Sequence, residues 1–94
     1  MTVVWSRRAL DHLVALRAWI ARDNPEAAGD VALMLLDAVE RLAVLPTLGR
    51  PGRLAGTREL AVSGSPYVIP YRIQGNRLEI LAVFHGRQKW PRRL

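Results

Sequence analysis

The segment FHGRQKWPRRL, residues 84–94, holds one histidine, three arginines, one lysine and one tryptophan. His85 titrates near neutral pH and could move a proton, while Arg87 and Lys89 could steady a phosphate or a developing negative charge. Cleavage of RNA by its own 2′-hydroxyl needs a base, an acid and cations around the scissile phosphate. His85 and its basic neighbours supply most of that list, and Glu59, Tyr67 and Tyr71 are available as a second proton carrier. The other use of such a cluster is a grip on a polyanion. His12, among polar neighbours on a helical stretch, reads as a solvated surface residue.

Other chemistries have little to work with. There is no cysteine, which removes disulfides, thiolate nucleophiles and sulfur-ligated metals. No glycine-rich phosphate loop, HExxH or DxD spacing occurs, and the two histidines lie far apart, so neither a metal nor a cofactor is expected. The longest apolar run, VALMLL at 31–36, is well short of the roughly 18 residues of a membrane span. The start, MTVVWSRR, has its charges after the apolar stretch, the reverse of a secretory signal. A soluble cytoplasmic protein of one domain, residues 1–94, is the expectation.

Charge is the more telling number. Residues 1–48 sum to −1 and residues 49–94 to +7. Such lopsidedness points to an anionic partner for the second half.

The elements that must position these groups follow from periodicity. TVVW, residues 2–5, reads as a strand, and Ser6 as an N-cap. Ala9, Leu13, Leu16 and Ile20 recur at helical spacing. Asn24-Pro25 caps and opens a second helix whose apolar face is Ala28, Val31, Leu35, Val39 and Leu42. Two amphipathic helices on so short a link form an antiparallel hairpin. PTLGRPGRLAG, residues 46–56, reads as a loop carrying Arg50 and Arg53. Alternation then takes over in TRELAV, YVIPYRI and RLEILAVF, three antiparallel strands. The predicted fold is α+β, an N-terminal strand and helical hairpin packed on a small, mainly antiparallel sheet.

A two-residue loop at Gly75-Asn76 sets a register of Gln74 opposite Arg77 and Arg72 opposite Glu79, the latter an ion pair. Continued outward, it puts Tyr67, Ile69, Tyr71 and Ile73 with Phe84, Ala82, Ile80 and Leu78 on the core face. Val68, Leu81 and Val83 fall on the outer face, with His85 continuing it. That apolar strip either receives a segment of a partner or lies under the C-terminal tail with Trp90 as its plug. Pro70 has no amide to give a ladder, so it requires an edge or a bulge.

The stretch GTRELAVSGSPYVIPYRIQGNRLEILAVFHGRQKWP, preceded by PTLGRPGR, resembles the RelE/ParE superfamily of toxins from type II toxin–antitoxin systems across essentially the whole chain. The likeness implies the same fold, a small acidic antitoxin as partner, and either DNA gyrase or the ribosome with its message as target. For a ribonuclease of the RelE kind, the resemblance implies His85, Arg87 and Arg58 as the catalytic set. Val68 stands where that branch places an arginine, Gln88 falls near a second basic position, and QKWPRRL has no counterpart to a terminal catalytic tyrosine. Arg58, Tyr71-Arg72 and His85 resemble the ParE branch, whose members poison gyrase. That reading makes Arg58, Arg87, Lys89 and Trp90 the target-binding residues, and Val68, Leu81 and Val83 the antitoxin-binding ones.

Overall fold

The computed structural model describes residues 1–94. Strand β1 (Thr2–Trp5) leads into helix α1 (Arg7–Ala21), then α2 (Pro25–Val44), and the strands β2 (Arg50–Pro51), β3 (Arg58–Ala61), β4 (Tyr67–Gln74), β5 (Arg77–Ile80) and β6 (Phe84–His85). The strands form one sheet in the order β1-β5-β4-β3-β2, with β6 on β4. β1 is parallel to β5 and every other pair is antiparallel.

Both helices start where their caps dictate. The Ser6 hydroxyl accepts the Ala9 N–H at 3.0 Å and Asn24 Oδ1 accepts the Ala27 N–H at 3.0 Å, each satisfying an amide that a helix start leaves free. The hairpin sets Ala9, Leu35, Ala38, Val39 and Leu42 against Leu60, Ile69, Tyr71, Leu78 and Ile80 of the sheet. Gly75 takes φ +58°, suited to the first central position of a tight hairpin loop. The predicted pairs Gln74–Arg77 and Arg72–Glu79 are present, and Arg72 reaches Glu79 at 3.6 Å.

Beyond Ile80 the predicted register fails. Tyr71 pairs with Ile80, but Val68 then pairs with Phe84 and Tyr67 with His85, one residue out of step. Pro70 is the reason. The Leu81 N–H donates to the Pro70 carbonyl at 2.9 Å, and the reciprocal bond would need the N–H that proline lacks. The orphaned Leu81 carbonyl instead accepts the Ser6 hydroxyl at 3.1 Å. Residues 81–83 leave the ladder, and the Val83 N–H finds His12 Nδ1 at 3.1 Å. The required bulge is therefore there, on the neighbour of Pro70, and α1 repairs it with two side chains.

Three expectations change with that slip. Phe84 moves to the face of Val68, while His85 moves from the outer face to that of Tyr67. His12 is half-buried and structural rather than solvated. Arg50-Pro51, expected as loop, adds a two-residue strand beside β3.

Tyr71 carries the rest of the loop. It is fully buried; its hydroxyl donates to the Pro46 carbonyl at 2.7 Å and accepts the Gly49 N–H at 2.9 Å. Burial raises its pKa, against the Gly49 amide and Arg58, so it stays a neutral donor. A Cβ on Gly49 would stand 2.7 Å from that hydroxyl, which reserves the position for glycine.

Two predictions follow from these bonds. Tyr71→Phe leaves the buried Gly49 amide without an acceptor and lowers stability by about 1–3 kcal/mol in urea denaturation. Burial, then Arg8, pulls the pKa of His12 below 6.5, with Asp11 and the Val83 bond opposing. The unfolded chain therefore takes up the proton first. Stability from this group is complete above pH 6.5 and lost as pH falls through the lower folded value. Unfolding midpoints measured from pH 8 to 5 (about that range) should fall in the native chain and change less in His12→Gln.

Candidate target-binding tail and its anchor

The tail hangs from a buried acid. Glu59 lies on β3 opposite Pro70 and is 3% exposed. Arg53 meets it with Nε at 3.0 Å, Nη2 at 3.1 Å and its own backbone N–H at 2.7 Å, and Arg50 adds a contact at 3.4 Å. Burial alone would raise this carboxyl's pKa. The Arg53 side chain, backbone amide and charge, with Arg50, outweigh it and hold the group below its usual range.

Fixed by Glu59, the Arg53 guanidinium lies 3.6 Å from the ring centre of Trp90. Trp90 packs on Phe84 with centroids 4.8 Å apart, and Phe84 on His12 at 5.3 Å. A column of acid, guanidinium and three rings thus ties loop, tail and α1 together. Arg8 Nη1 adds a bond to the Arg93 carbonyl at 3.3 Å. Trp90 Nε1 is buried with no acceptor, the one side-chain polar atom in that condition.

This arrangement corrects the proposed antitoxin strip. Val68, Leu81 and Val83 are buried, at 7%, 6% and 7% exposure. Val83 has turned into the main core cluster, and Val68 pairs with Phe84, on which Trp90 rests. The tail-as-plug alternative is the one realised, so these three residues offer no open docking surface.

The candidate catalytic residues do not converge. His85 Nδ1 accepts the Arg87 N–H at 3.1 Å, and Gln88 Oε1 accepts the His85 N–H at 2.9 Å, so His85 and Arg87 are neighbours within one turn. The Tyr67 ring meets His85 edge-on at 6.0 Å. Arg58 pairs opposite Tyr71, four residues along β4 from Tyr67 or about 13 Å at strand rise, and donates to the Gly49 carbonyl at 2.7 Å. Glu59 is consumed by its arginines. No group of three or more histidine or acidic residues is placed to hold a metal.

Free cations collect instead on the tail. In residues 49–94, Arg50 and Arg53 are bound to Glu59, Arg72 to Glu79 and Arg58 to a carbonyl. Arg77, Arg87, Lys89, Arg92 and Arg93 pair with no acid, and all but Arg77 follow β6. Sequence reasoning missed Arg53 and Glu59 as the anchor. The available signal was that Glu59 is one of two acids in a strongly basic half.

A helical hairpin on a small sheet, with a cationic tail and no assembled reaction centre, defines a protein that binds a macromolecule. Residues 3–90 match the family described as ParE toxin of type II toxin–antitoxin system, parDE, and the chain belongs to that family. It is 47% identical over 87 residues to Y4kP of Sinorhizobium fredii, a toxin by name, covering 93% of this chain and 90% of that one. Toxin RelE2 of Caulobacter vibrioides is 41% identical over 84 residues, covering 89% and 93%. A solved structure of the chromosomal ParDE system of P. aeruginosa superposes with TM-score 0.83 at 26% identity, over 90% of this chain and 95% of that one. The chain is thus the toxin of a type II pair, and a cognate antitoxin is its partner.

Glu59 has a titration consequence. Its depressed folded pKa makes its contribution complete above the unfolded value of 4.5 and lost as pH falls through the lower folded value. Glu59→Gln should lower stability at neutral pH and flatten the acid limb of the pH–stability curve. Trp90 emission should report the same loss, because Arg53 no longer has a counter-charge.

Proposed function

We propose that this toxin disables DNA gyrase by binding, in ParE-like fashion, and performs no reaction of its own. The observation that carries the reading is the segregation of free cations onto the tail while His85 and Arg58 stay apart. Arg87 and Lys89 supply the grip. Trp90 holds the tail in place, and Arg58 acts by keeping the loop at Gly49 in position. Acidic residues of the antitoxin meet the same cations and so compete with the target. The site of action is the cytoplasm.

A ribosome-dependent ribonuclease is the second reading, favoured by one contact. The register slip brings Tyr67 to His85, giving that histidine a neighbouring phenol beside Arg87.

Induction without antitoxin distinguishes the two. Gyrase inhibition should raise covalent gyrase–DNA complexes and leave transcripts whole. Arg87→Ala with Lys89→Ala should weaken toxicity by about tenfold or more, as lost electrostatic attraction predicts, and His85→Ala should leave it intact. Cleaved messages that disappear with His85→Ala would replace this reading with the second.

A further inference from the structure

The two edges of the sheet are built differently. β2 is two residues long and carries an exposed arginine and a proline, features that discourage pairing. β1 reads TVVW, with no lysine, proline or bulge. Thr2 and Ser6 donate their amides to the Asn76 and Ile80 carbonyls of the β5 side, at 2.9 and 3.0 Å. Alternation in a parallel ladder then turns the N–H and C=O groups of Val3 and Trp5 toward the open edge.

An apolar groove runs beside that edge. It measures about 490 Å³ and is lined by Val3, Trp5, Leu36, Val39, Ala43 and Val44, with Glu40 the one charged residue. Val44 is 79% exposed and Leu36 40%, although both are large aliphatic side chains. An apolar groove along an unprotected strand is a docking surface for another strand.

We propose that the occupant is a second copy of this chain, paired β1 to β1 about a two-fold axis at Val4. In that register Val3 of each copy faces Trp5 of the other, and these are the residues whose backbone groups point outward. Each pair exchanges two hydrogen bonds. Opposed residues in an antiparallel pair lie on one face of the sheet, so Val3 and Trp5 of both copies form a continuous floor under the two α2 helices. Leu36 and Val44 then cover each other's grooves.

Charge favours this occupant over an acidic one. Asp37 and Glu40 line the α2 surface at and next to the groove, so an anionic segment would be repelled there. Residues 1–48 sum to −1 against +7 for the remainder, so two copies meet through the nearly neutral part of the chain. The acidic antitoxin retains the cationic tail as its complement.

Sedimentation velocity of the purified chain over a concentration series tests the proposal. A reversible species of twice 10.5 kDa is expected. Val3→Pro removes only the outward amide, and Val44→Glu places a charge in the groove. Each should weaken association by about tenfold or more, as edge proline and buried like charge do. Circular dichroism and melting temperature should stay near native, and Arg87→Ala should associate normally. A single monomeric species throughout, or association that survives both substitutions, overturns the proposal. So does a monomer whose antitoxin binding, rather than self-association, is lost in Val44→Glu.

Discussion

The absent amide of Pro70 governs the arrangement of the functional end of this toxin. A central strand normally exchanges hydrogen bonds along both sides, and a proline there breaks one exchange. Here the broken exchange falls at Leu81, and the chain shifts by one residue before β6 resumes pairing. That shift sends Phe84 toward Trp90 and His85 toward Tyr67. Ser6 and His12 take up the released backbone groups, which couples the first helix to the end of the sheet.

A second constraint is electrostatic. A carboxylate buried as deeply as Glu59 is costly unless its oxygens are satisfied, and here three donors from Arg53 and one from Arg50 do so. The same guanidinium offers its flat face to Trp90. Interior charge pairing and tail placement are therefore a single arrangement. The cations left over are those with no structural partner, and they are the ones available to a target or an antitoxin.

Much of the fold was legible because local rules and periodicity agreed. Ser6 and Asn24-Pro25 marked both helix starts, and Gly75-Asn76 fixed the β4–β5 register through Tyr71. Legibility ended where one residue overrode the pattern. Alternation alone carried YVIPYRI and RLEILAVF into a perfect ladder, although Pro70 had already demanded a bulge whose position nothing local specified. The site suffered from the same gap. A one-residue slip exchanges faces, so the outer strip of Val68, Leu81 and Val83 could not survive it. The anchor was hidden for another reason, since Glu59 and Arg53 meet through a loop whose course periodicity does not describe. Sequence charge did locate the cations, because their lack of acidic partners is a property of composition.

Trp90 is held by stacking on both faces, yet its indole nitrogen is left without an acceptor, and none of residues 86–94 enters the core cluster. Foldedness and recognition are thereby written in separable stretches of chain. Substitutions after β6 can re-specify what the toxin seizes without disturbing how the body assembles, which opens a short evolutionary route between paralogues that share an architecture and differ in victim.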